Sequence, residues 1–284
     1  MLPQSKKELA RIRNLLWIIL VAAFISSCSR AVNKDVMNLT AHSDKALDLY
    51  NQAYANAFRI LELDKAVALY EKAIEEDPDF FMAYYQLATY HLFHGNDREF
   101  ENNARAAIQI SSRLSSGERI QKKVLERWLA DQESNVSDLG QQLVKMFPND
   151  PDAYMNLGFY QYMAEHYPEA IEAFERAESL GLKKSAYCGP KLAIVPLCML
   201  GYTYLNTGQV DKARESFDRY IQRYPEDQNP YDCKADYFIY IGDYKSAAAS
   251  YLKAYQMDTT HGEFLERALE AGKLAAANQT LNDF

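Results

Sequence analysis

The sequence predicts an all-α chain, a superhelix of about six helix-turn-helix repeats closed by a C-terminal capping helix. Three observations lead there. Glycine (11) and proline (9) are scarce among 284 residues, which disfavours a turn-rich β protein. From residue 45 onward one pattern of small and apolar residues returns about every 34 residues, a period at which two-helix units stack. The last stretch, EFLERALEAGKLAAAN, keeps a helical period with no second helix to pair with, as a solvating end cap requires.

At the N-terminus, Lys6, Lys7, Arg11 and Arg13 precede Leu15 to Ile25, eleven consecutive apolar residues. As a helix that run spans about 16 Å, roughly half the hydrocarbon core of a bilayer. A cationic start, a short apolar core and then small residues follow the order of a signal peptide, expected over 1–27. The tetrad Ile25-Ser26-Ser27-Cys28 resembles the lipobox of bacterial lipoproteins. The resemblance implies cleavage after Ser27, acyl chains on Cys28 and a lasting anchor in the membrane. Ser29, in place of aspartate, implies sorting to the outer membrane of the cell envelope. The competing readings are an uncleaved signal anchor and a cleaved secretory peptide followed by an ordinary cysteine. Residues 28–44 carry no apolar period and are expected to form a flexible tether.

The folded body is expected over 45–284, with repeats near 47–80, 81–114, 117–150, 151–184, 194–227 and 228–261 and a cap over 262–284. The fourth repeat places Tyr154, Leu157, Gly158, Ala170, Phe174 and Ala177 at positions 4, 7, 8, 20, 24 and 27, and the fifth places Leu197, Leu200, Gly201, Ala213 and Phe217 in the same frame. These residues at this spacing resemble the tetratricopeptide repeat. Small residues at 8 and 20 let the paired helices approach, and large ones at 4, 7 and 24 fill the space between hairpins. The first repeat keeps Tyr50, Ala66, Tyr70 and Ala73, and the sixth Tyr231, Ala235, Ala247, Tyr251 and Ala254. The second departs with Phe100 at position 20, and the third keeps only Ile120 and Pro148. An insertion, SAYCGPKLA at 185–193, precedes the fifth repeat and is expected as an edge loop.

The resemblance implies that the first helices of the repeats line a concave groove. Its candidate partner-binding residues are Tyr85, Thr89, Trp128, Met155, Asn156, Phe159, Tyr162, Cys198, Tyr202, Asp232 and Asp236. Aromatic and apolar at its centre, with the acidic pair at its C-terminal end, the groove suits an extended or helical peptide of basic or apolar character. Methionine and tyrosine at helical spacing also serve simply to pack neighbouring helices together. The lysine, asparagine and arginine set with which some relatives clamp a carboxylate is not present, since Asn51 and Lys122 stand alone.

The remaining residues offer no catalytic constellation, and no cofactor is implied. His91 and His94 form an HxxH without a third metal ligand, and Glu75, Glu76 and Asp77 read as a helix end. Cys188, Cys198 and Cys233 leave two outcomes open: reduced thiols, or one bridge joining Cys198 to Cys188 or Cys233. The formal charge of −8 becomes about −11 without the basic start, so phosphate-neutralising cations are lacking and nucleic acid is not an expected partner. The sequence thus predicts a membrane-anchored, non-enzymatic scaffold that collects protein or peptide partners in the bacterial cell envelope. The alternatives are a lipoprotein that captures a glycan or small ligand, and an uncleaved signal-anchored adaptor.

Overall fold

A computed structural model describes residues 36–57, 63–111, 113–181, 196–260 and 262–282. The expected signal peptide, the lipobox with Cys28, and the insertion at 185–193 with Cys188 lie outside the described residues. Every regular element among those described is a helix. They run α1 (Asp44–Ala55), α2 (Leu63–Glu76), α3 (Phe81–Phe93), α4 (Asp97–Gln109), α5 (Ser116–Ala130), α6 (Ser137–Met146) and α7 (Pro151–Met163). There follow α8 (Tyr167–Leu180), α9 (Pro196–Asn206), α10 (Val210–Arg223), α11 (Asn229–Tyr240), α12 (Tyr244–Met257) and α13 (Gly262–Asn282). They pair as six hairpins, and α13 covers the open end of the last.

The hairpins close because small residues admit large ones. A Cβ built on Gly158 would lie 2.6 Å from Phe174, and one on Gly201 would lie 2.3 Å from Phe217. In both repeats the ring of the second helix therefore sits directly against the backbone of the first. The third repeat, with little of the sequence pattern, forms a hairpin by other contacts. There Gly140 occupies position 24, and a Cβ on it would lie 2.9 Å from Leu157 Cα, so α6 presses on the next repeat's α7. Fully buried Phe81, Phe100, Trp128, Phe174, Phe217 and Phe264 mark the core along the stack.

Local polar chemistry fixes the helix ends. Ser115 Oγ accepts from the Glu118 backbone N–H while Glu118 accepts from the Ser115 N–H, a reciprocal cap at the start of α5. Asp150 caps α7, with Pro151 in its first turn. At their C-termini α3, α7, α9 and α11 share one closing bond. It runs from Asn96 N–H to His91 O (2.9 Å), from His166 to Gln161 (2.9 Å), from Gln209 to Tyr204 (2.8 Å) and from Asp243 to Phe238 (2.9 Å). That geometry needs a left-handed residue just before the donor. Gly95, Gly208 and Gly242 supply it with positive φ, and Glu165 supplies it at φ 58°.

Of the flexible tether expected over 28–44, residues 28–35 lie outside the described residues and the described part departs from the expectation. Residues 36–43 lie against the helical body as a strap. Met37 is fully buried and its N–H donates to Asp150 Oδ2 at 2.5 Å. Thr40 N–H donates to Glu118 Oε1 at 2.7 Å, and His42 N–H to Asp77 Oδ2 at 2.5 Å. Three carboxylates, each no more than 5% exposed, thus receive the strap's backbone donors, which would otherwise go unpaired beside the core. Burial raises the pKa of Asp150, opposed by the N–H donors of Met37, Asp152 and Ala153.

Candidate functional site

A cleft of about 330 Å³ opens along the first helices of the hairpins. Position 5 of successive repeats supplies Tyr85 from α3, Gln121 from α5, Met155 from α7 and Cys198 from α9; Gln86, Thr89, Asn156 and Phe159 lie beside them. These helices point their residues into one space because stacking hairpins in register brings the same helical face to the same side each time.

The cleft has an aromatic wall and a neutral polar floor. The Phe93 ring meets Phe159 edge-on, with centroids 5.2 Å apart, and Phe93 is 41% exposed. Beneath the lining, the Tyr85 hydroxyl and that of buried Tyr160 are 2.9 Å apart, and Tyr160 donates to Asn156 Oδ1 at 3.2 Å. Asn156 Nδ2 donates in turn to Asp152 O at 2.7 Å, and Gln86 Nε2 donates to Tyr50 OH at 3.3 Å. Burial pushes the Tyr85 phenol above its ordinary pKa, with the Tyr160 bond acting the other way, so it stays protonated. Among the described residues no lysine or arginine lines the cleft; Asp152 and His94 are the charged or titratable ones there besides tyrosine and cysteine.

The sequence-derived groove residues divide sharply. Tyr85, Thr89, Met155, Asn156, Phe159 and Cys198 come together in the cleft lining, and the other five lie elsewhere. Trp128 belongs to the core. It is 2% exposed, with its ring 5.9 Å from Tyr160 in an edge arrangement, because α5 turns this face toward α7. Tyr162 packs edge-on against Tyr167 and accepts from Asn206 Nδ2. Tyr202 donates to Asp236 Oδ2 at 2.7 Å.

Asp232 and Asp236 are not an open acidic end to the groove, because both pair with Arg267 of α13. Tyr251 OH donates to Asp236, and the Arg267 guanidinium lies over the Tyr251 ring at 4.3 Å. One guanidinium balances one carboxylate, so the second is surplus negative charge in a buried place. Burial accordingly pushes Asp232 up to about 7, with Arg267 pulling it down and Asp236 and Glu263 adding to the rise. Burial works against the Arg267 charge too, but Asp232 and Asp236 outweigh it and raise its pKa.

Tyr54, Tyr90, Phe93, Met199 and Asn229 also line the cleft. Phe93 carried a legible signal, an aromatic residue at the end of a first helix beside two groove positions. Of the HxxH pair, His94 lies against Tyr90 with centroids 4.2 Å apart and its Nδ1 2.8 Å from Tyr90 O, whereas His91 meets Tyr90 edge-on and its buried Nδ1 has no hydrogen-bond partner. Among the described residues no three His, Cys, Asp or Glu side chains are placed to share a metal ion.

Comparison with known proteins agrees with the hairpin geometry. Family models described as tetratricopeptide repeat match residues 69–106, 137–183 and 198–227. The second of these covers α6 of the third repeat together with α7 and α8 of the fourth. No curated protein matches the sequence. A chain in the crystal structure of the APC/C hetero-tetramer Cut9-Hcn1 is similar at 16% identity and a TM-score of 0.45. The alignment covers 81% of this chain but only 43% of that one. Six stacked hairpins with a capping helix, matched at three places along their length, make this chain a tetratricopeptide-repeat superhelix.

Proposed function

We propose that the chain is a membrane-anchored scaffold of the bacterial cell envelope whose cleft binds a peptide segment of a partner protein. The cleft carries the reading. Exposed Phe93 and half-buried Phe159 offer an aromatic anchor site, flanked by the amides of Gln86 and Asn156, which suit a peptide backbone. With Asp152 and, among the described residues, no Lys or Arg in the lining, the surface suits apolar or basic segments and disfavours carboxylate tails. Membrane attachment rests on the apolar run and on Ile25-Ser26-Ser27-Cys28, as does the placement in the outer membrane. The partner role is non-enzymatic, in keeping with what tetratricopeptide repeats generally do.

A second reading has one observation in its favour. The cleft volume of about 330 Å³ lies within the range of pockets that hold small molecules, so a glycan or other small ligand is the rival occupant. Native mass spectrometry of the full chain, extracted from its own membranes in detergent, separates the two. Retained adducts of protein size support the scaffold, and a retained adduct of small-molecule size supports ligand capture. Metabolic labelling with an acyl-chain analogue tests the anchor. Label is expected on the wild type and not on Cys28→Ser, and equal label on both contradicts lipidation of Cys28.

A further inference from the structure

At the α9 side of the cleft, two thiols from successive repeats meet. Cys198 Sγ of α9 and Cys233 Sγ of α11 are 2.8 Å apart, closer than non-bonded sulfur contact and within a small adjustment of the roughly 2.05 Å of a disulfide. The two thiols are not equivalent. Cys198 is partly exposed and lines the cleft, whereas Cys233 is 1% exposed and donates to Asn229 Oδ1 at 3.1 Å. No third His, Cys, Asp or Glu is placed to share a metal ion with them among the described residues.

We propose that Cys198 and Cys233 form a redox-active pair that exchanges with an external disulfide, of the kind carried by thiol–disulfide oxidoreductases, and closes into a bridge between the fifth and sixth repeats. The Cys198 thiolate attacks one sulfur of the incoming disulfide, forming a mixed disulfide and releasing the first thiolate. Cys233 then gives up its proton, and its thiolate attacks Cys198 Sγ and expels the second thiolate. The two protons from the cysteines end on the two released thiols. The pair is oxidised by two electrons, and the incoming disulfide is reduced by two. Exposure sets the order of attack. Burial pushes the Cys233 thiol well above its ordinary pKa, with Cys198 acting in the same direction, so Cys233 is the resolving partner and closure is the slower step. The bridge fixes α9 against α11 and withdraws the Cys198 thiol from the cleft, so the oxidised and reduced forms present different surfaces to a partner. Neither the membrane anchor nor the identity of the cleft's ligand enters this reasoning.

The test uses the full-length chain in detergent with Cys28→Ser and Cys188→Ser, exposed to oxidised glutathione and followed by intact mass and peptide mapping. The expected product is about 2 Da lighter, with the Cys198 and Cys233 peptides joined. Adding Cys233→Ala should trap one glutathione, about 305 Da, on Cys198, and adding Cys198→Ala should leave the chain unmodified. Because the first result comes from a chain with both cysteines intact, it does not depend on either alanine variant folding. A stable glutathione adduct on Cys198 with Cys233 present, no reaction at all, or equal modification of Cys233 when Cys198 is absent would each overturn the proposal.

Discussion

At the scale of single residues, the same turn is built four times with three glycines and one glutamate. Gly95, Gly208 and Gly242 reach positive φ without a Cβ to hinder them, whereas Glu165 is held at φ 58° by the closing bonds of α7, where a side chain costs free energy. Glu165→Gly is therefore expected to raise stability by roughly 0.5–1 kcal/mol, read as a higher urea midpoint with unchanged slope. Pairs such as Gly158 with Phe174 and Gly201 with Phe217 were legible in the sequence because both partners recur at fixed positions of one repeat. Trp128 was not. Its position in the repeat equals that of Tyr162, but whether such a ring faces the cleft or the core depends on how α5 packs against α7, and periodicity along one helix carries no information about that.

At the scale of elements, the strap before α1 departs from expectation, and α13 adds a polar role to the expected cap. Residues 36–43 have no periodic pattern, and their partners lie as far as 113 positions away, so a polar stretch read as tether is in fact held by Asp77, Glu118 and Asp150. Met37 is fully buried, so Met37→Ala should destabilise the fold by about 2–4 kcal/mol through the cavity it leaves, measured by denaturant unfolding. At the other end, α13 was legible as a cap from its helical period; Ala268 and Ala271 pack with Ala235, Ala247 and Tyr251 of the sixth repeat, and Phe264 is buried. Its polar role was not, since nothing near Arg267 in sequence points to Asp232 and Asp236. The pH behaviour follows from that site. Asp232 has a folded pKa of about 7, above the unfolded value of about 3.9, so this group takes up a proton on folding between those limits. Its contribution to stability is full below about 4 and is lost as the pH rises through about 7. Asp232→Asn should remove this dependence. The gain in stability over wild type should be on the order of a few kcal/mol at pH 8 and roughly a third of that at pH 5, as seen in paired thermal unfolding at the two pH values.

For the whole molecule, stacking creates what no single repeat holds. Tyr54 of the first hairpin and Asn229 of the sixth line one cleft, although nothing in either repeat taken alone marks it as part of a shared surface. That cleft is the proposed docking place of a partner protein. The most direct measurement is photocrosslinking in living cells, with a photoreactive residue placed in turn at Phe159 in the cleft and at Leu252 on exposed α12, which is 40% exposed and outside the lining. Discrete protein adducts are expected from position 159 that vanish when Phe93→Ala is added, and none at position 252. Equal adducts from both positions, or adducts from 159 that are indifferent to Phe93→Ala, would contradict docking in the cleft.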